Sequence, residues 1–149
     1  MERSASHSKG SALPAVGRYK PSPMSPSGLL ELPFCNVKVD FIVKVIKIAD
    51  SLPKTVSGRH IGGQMTRAGT SCGSNYEEGC GAESRSDFVH KMSIVLKELK
   101  ETRFWLRLIH RTEMLPPKYT DVMISECEQL CAIIGKSVST AKKKKFNDH

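Results

Sequence analysis

From residue 34 onward, apolar side chains recur at intervals of three and four along most of the chain. The stretch FCNVKVDFIVKVIKIADSL supports two readings. Val37, Val39, Phe41, Val43 and Val45 alternate as in a strand, whereas Val37, Phe41, Val45, Ile48 and Leu52 keep helical spacing. β-Branching weakens the helical reading on propensity alone, and the stretches that follow decide for helix. Ile61, Met65, Ala68, Cys72 and Tyr76 keep a 3.6-residue period behind Pro53 and Thr55, which suit a helix entrance. Ser84 and Asp87 resemble a capping box ahead of the stripe Phe88, Met92, Val95, Leu96, Leu99, Leu106 and Ile109, widened by Ile94, Trp105 and Leu108. After Pro116 and Pro117, one face carries Tyr119, Met123, Cys127, Leu130, Ile134, Val138 and Ala141, with Cys131 beside it. Four such stretches with short connections predict an all-α protein, an antiparallel up-and-down four-helix bundle, with helices at about 36–51, 54–82, 85–112 and 117–142.

Residues 1–33 carry no such period. Five prolines (Pro14, Pro21, Pro23, Pro26, Pro33), many serines and few large apolar groups predict a disordered tail, because little buried surface offsets its ordering entropy. Met24, late in that tail, offers an alternative start. Residues 34–145 then form the bundle and 146–149 a polar end. At 149 residues the chain has room for one modest core. It has no apolar run near the roughly 20 residues of a membrane span and no apolar signal-peptide core. Five cysteines without a disulfide framework favour reduced thiols and a cytoplasmic setting. The net charge is +8, and four basic and two acidic groups in the first 33 residues leave +6 for the rest. Such a balance suits an acidic partner, nucleic acid first.

The stretch TSCGSNYEEGCG (70–81) raises the question of chemistry. Seven glycines between 54 and 82 weaken a helix by about 1 kcal/mol each relative to alanine, so close packing must compensate. No nucleotide-binding glycine fingerprint is present. Gly69 and Gly73 stand four apart, as do Gly58 and Gly62, a spacing that lets helix backbones approach closely. Cys72 and Cys80 would lie about 12 Å apart along one helix, too far to share an ion, and Cys127 and Cys131 lack a second ligand pair. Asp87 and His90 form one Asp-x-x-His without the second pair of a di-iron bundle. Ser71 and Ser74 have no neighbouring histidine in sequence and no nucleophile-elbow motif. The expectation is therefore no catalytic residue, no metal and no cofactor. Lys142, Lys143, Lys144 and Lys145 at the last helix end, with Arg103, Arg107 and Arg111 four apart on helix three, are the candidate nucleic-acid contacts. A merely solvated face is the competing reading.

The motifs GRHIGGQMTRAGTSCGSNYEEG and SRSDFVHKMSIVLKELKET, the LPK entry ahead of them and the following Trp-Leu resemble the four helix bundle proteins encoded in intervening sequences of bacterial 23S ribosomal RNA genes. The likeness covers roughly residues 50–145. The family resembles, in turn, the accessory protein of diversity-generating retroelements. The resemblance implies a homopentamer of bundles in the cytoplasm, without catalytic activity, with RNA or DNA and a reverse-transcriptase-like protein as partners. It also implies close-packing positions on helix two for the glycines and cysteines of 70–81 and a polar pair, Asn75 and Glu78, in hydrogen bonds between helices; Gly69, Gly73 and Trp105 are the helix-packing candidates with them. The Val/Ile-rich first helix and the proline-rich tail depart from the family pattern. The alternative is a structural or protein-interaction scaffold without nucleic-acid affinity. A metal-dependent enzyme is a third, weaker reading.

Overall fold

The computed structural model describes residues 34–144; the expectations for 1–33, for Lys145 and for 146–149 lie outside them. Four helices run in the order α1 (Phe34–Ser51), α2 (Val56–Cys80), α3 (Arg85–Arg111) and α4 (Pro117–Lys144), and the described residues contain no strand. The alternating valines of α1 thus resolve as helix. Phe41, Val45, Ile48 and Leu52 are buried, whereas Val39 and Val43, which only the alternation includes, are exposed. Burying one stripe of a helix satisfies every backbone group internally, so tertiary packing outweighs the β-branched propensity.

Local signals place the ends. Thr55 caps α2, its hydroxyl accepting from Gly58 N at 3.1 Å, and Ser84 caps α3 by accepting from Asp87 N at 3.1 Å. The α3–α4 turn closes with Glu113 N donating to His110 O and Met114 N to Ile109 O. This is a Schellman arrangement whose left-handed position, φ 54°, is held by Glu113 rather than glycine.

Consecutive helices pack antiparallel into an up-and-down bundle. Its two broad contacts are α2 on α3 and α3 on α4, α1 lies along α2, and α1 meets α4 only at a narrow seam. Met65, Cys72 and Tyr76 of α2, Met92, Val95, Leu99, Leu106 and Ile109 of α3, and Met123, Cys127, Leu130, Ile134 and Val138 of α4 join the α1 stripe in one core. Tyr119, expected on the inner face of α4, is instead exposed, with Lys118 Nζ 4.9 Å from its ring centroid. Seven residues before Cys127, Thr120 lies about 20° from that residue's direction, whereas Tyr119 lies about 80° away. Thr120 takes the buried place, donating to Pro117 O at 3.1 Å and lying 2.7 Å from His110 Nδ1.

The glycines of α2 mark where side chains of the neighbouring helices press against it, and at Gly62 the Ala49 carbonyl oxygen itself comes within 3.2 Å of a Cβ position. A Cβ at Gly69 would sit 3.0 Å from Val45 Cγ1, and one at Gly73 would sit 2.5 Å from Ile42 Cδ1, both on α1. One at Gly79 would meet Met92 Cε of α3 at 2.6 Å. Glu78 does reach across helices, accepting from Lys91 Nζ at 2.6 Å. Asn75 does not: its amide turns back along α2 and donates to Ser71 O at 2.9 Å and Ser71 Oγ at 3.2 Å. A short side chain one turn past a serine satisfies itself locally before it reaches a neighbouring helix.

Candidate nucleic-acid interface

Helix α3 separates its charges around its circumference. Glu98 and Glu101 turn toward α2, where Arg67 binds both, at 3.5 Å from Glu98 Oε2 and in a shorter contact with Glu101 Oε1. The hydrogen bond from Arg67 holds the Glu101 carboxyl below the ordinary carboxylate range, and the same bond raises Arg67. Trp105, half-buried, donates its indole N–H to Glu101 Oε1 at 3.4 Å. Its ring meets His60 of α2 edge-on, with centroids 5.9 Å apart, and Phe104 at 4.9 Å.

Next to Glu101 around the helix, the outward side of α3 is cationic. Lys97, Lys100, Arg107 and Arg111 are exposed, and Phe104 stands among them at 55% exposure. Arg107 donates to Glu128 Oε1 of α4 at 2.7 Å, an exposed pair that leaves its guanidinium half open to solvent. Among the described residues Lys97, Lys100 and Arg111 enter no ion pair. Glu78, Glu98, Glu101, Glu126 and Glu128 are engaged with Lys91, Arg67, Lys44 and Arg107, which leaves Lys97, Lys100 and Arg111 without a carboxylate at ion-pair distance among the described residues.

The three arginines picked out by sequence spacing do not act alike. Arg111 is free in solvent and Arg107 is paired, while Arg103 is half-buried toward α4, close enough to Cys127 and Cys131 to favour their thiolates. Those cysteines lie one turn apart on α4. Cys127, fully buried, donates to Leu99 O at 3.2 Å, and its hydrogen bond with Cys131 together with burial raises its pKa. The same hydrogen bond, with Arg103 and Lys100 nearby, lowers that of Cys131. No group of three or more ligating side chains with metal-site geometry occurs among the described residues.

Lys142 and Lys143 are exposed at the end of α4, and Lys144 is its last residue. Helices α3 and α4 run antiparallel, with Arg107 opposite Glu128 and Leu96 beside Gly135. The lysine cluster therefore lies at the opposite end of this hairpin from Arg111, roughly 30 Å away along the axis. Lys97, Lys100 and Phe104 were missed by sequence reasoning. The signal was present in the spacing 97, 100, 104, 107, 111, which keeps one face of a helix, but the arginine repeat drew attention to Arg103 instead.

The family model of the 23S rRNA-intervening sequence protein matches residues 31–136, which is most of the chain. The chain belongs to this family. A crystal structure of a protein with unknown function from the S23 ribosomal protein family, from Bacteroides thetaiotaomicron VPI-5482, is similar to it, with a TM-score of 0.63 and 28% sequence identity. That likeness covers 70% of this chain and 96% of the other. No curated protein matches. Family membership accounts for the all-helical architecture, and the matched segment holds all of α2 and α3 and most of α4, including the cationic face.

Proposed function

We propose that this 23S rRNA-intervening sequence family protein is a non-catalytic, oligomeric bundle that acts in the cytoplasm and binds RNA or DNA by its phosphates. The observation that carries this reading is the uncompensated charge. The carboxylates of α2 and α3 that face each other's helices are neutralised by Arg67 and Lys91, whereas Lys97, Lys100, Arg111, Lys136, Lys142 and Lys143 stand exposed and outside any ion pair among the described residues. Lysines and arginines of this kind release counterions from a polynucleotide, so affinity falls steeply with salt.

Light scattering of the full chain, at low and physiological salt with and without a structured RNA, tests it. A homo-oligomer, pentameric as the family resemblance implies, gains mass with RNA and loses that gain as salt rises. Replacing Lys142, Lys143, Lys144 and Lys145 by alanine weakens binding and lowers the salt slope by about 1 for each phosphate contact removed. Unchanged affinity in that variant removes the lysine cluster from the interface.

A second reading has its own support. Val39 and Val43 on α1 and Val122 and Ile133 on α4 are exposed, and such residues suit a protein contact rather than a phosphate. They favour contacts between copies, or a scaffold on which a polymerase such as a reverse transcriptase docks. An oligomer indifferent to RNA at every salt concentration would establish that reading over the first.

A further inference from the structure

We propose that the outer face of α3 is a track for an unpaired polynucleotide strand, on which Phe104 stacks one base and Lys97, Lys100, Arg107 and Arg111 hold the flanking phosphates. The proposal rests on the nucleic-acid reading above and adds the surface and the form of the ligand.

Three observations carry it. The first is position. Lys97, Lys100, Arg107 and Arg111 stand seven and four residues before Phe104 and three and seven after it. These offsets keep one helical face, and the cations span about 21 Å, room for three or four consecutive phosphates. The second is charge. Among the described residues the carboxylates bordering the track are already engaged: Glu101, one turn after Lys97, binds Arg67 of α2, and Glu128 binds Arg107 at the α4 edge. A second copy presenting the same face would set these cations against their own kind, whereas a phosphate chain complements them.

The third is the aromatic ring. Phe104 is more exposed than buried, which is unfavourable for an isolated phenyl group in water, yet the ring has an aromatic neighbour. Its ring lies edge-on to Trp105, at 69° between planes, and Trp105 is fixed in turn by Glu101 and by the His60 ring at 81°. A ring that already has a neighbour has less freedom to lose when a base stacks on it. Every base has a π-face, so the contact is tolerant of sequence, but in a duplex that face is already covered by the neighbouring pairs. The discrimination expected from Phe104 is therefore between unpaired and paired strands, while the cations serve both.

Fluorescence anisotropy decides it, with the full chain, labelled dodecamers of uridylate and of thymidylate, and a blunt 12-base-pair duplex, at 50 and 200 mM salt. Phe104→Ala is expected to weaken binding of the unpaired strands about tenfold and to leave the duplex unchanged. Phe104→Tyr, which keeps the ring, retains wild-type affinity. Lys97→Ala and Lys100→Ala lower the salt slope for all probes. Equal weakening with both dodecamers means that the track accepts either sugar, and weakening with one alone assigns RNA or DNA as its ligand. Phe104→Ala binding the dodecamers like wild type overturns the stacking role while the nucleic-acid reading stands. Wild-type protein that binds no probe at 50 mM salt overturns both. A lower native mass for Phe104→Ala, by light scattering, overturns the proposal in favour of a contact between copies.

Discussion

At the scale of single residues, the glycines of α2 divide by what surrounds them. Gly58 faces the Pro53 carbonyl oxygen so closely that a methyl group has no place, and the obstacle is backbone, which cannot rotate away. Gly63 has nothing within 4 Å of the position a Cβ would take. Alanine is the better helix former at both sites by about 1 kcal/mol. Gly63→Ala is therefore expected to raise stability by about 0.5–1 kcal/mol. Gly58→Ala is expected to lower it by about 1–3 kcal/mol despite its propensity gain. Urea unfolding of the two variants beside wild type checks both signs. The spacing of Gly69 and Gly73 announced a close approach, and these two do lie against α1, but spacing alone does not separate Gly58 from Gly63. Glu113 shows the reverse case: a turn that normally asks for glycine carries none, so no local signal marks its positive φ.

At the scale of helices, α2 and α3 are held by apolar contact along most of their length and by the Arg67–Glu98/Glu101 and Lys91–Glu78 pairs, and α3 and α4 by the Cys127–Leu99 and Arg107–Glu128 bonds. Helix α1 depends on one neighbour. It packs along α2, while its link to α4 is the narrow seam bridged by Lys44 and Glu126 at 2.9 Å. The pair is half in solvent at the lysine, so it adds little. Local stability follows such contact, and α1 is expected to open without the rest of the bundle. Hydrogen exchange followed by mass spectrometry should show its amides exchanging faster than those in the middle of α2 and α3. Equal protection in all four helices would mean that α1 has a further partner in solution. The helical period of α1 was legible in the sequence; its position at the edge of the bundle was not, because periodicity reports which side is buried and not how many neighbours bury it.

For the whole molecule, two kinds of surface compete for attention. The outward side of α3 and the end of α4 carry unpaired cations, and α1 and α4 expose Val39, Val43, Val122 and Ile133. If the apolar residues join copies of the chain, a charge placed among them will separate the copies without unfolding each bundle, since all four side chains lie outside the core. Val43→Glu and Ile133→Glu are expected to lower the native mass in sedimentation while leaving helix content by circular dichroism unchanged. A full-size assembly in both variants would assign the oligomeric contact to another face.

Periodicity determined most of the core. The buried members of α1, α2 and α3 are those that a 3.6-residue repeat selects, because a helix in water must hide one stripe and sequence records which one. The family was legible in the sequence by another route, the ordered motifs of α2 and α3, and its model matches residues 31–136. What only the tertiary structure decided was the sharing of charge. Whether an arginine is open to solvent, paired or turned toward a thiol depends on which neighbouring helix supplies a carboxylate at its level. For Arg111, Arg107 and Arg103, which look equivalent in the chain, the answers differ. Phe104 owes its exposure to the same cause: Trp105 and Glu101 turn toward α2, and the next residue around the helix is left facing outward.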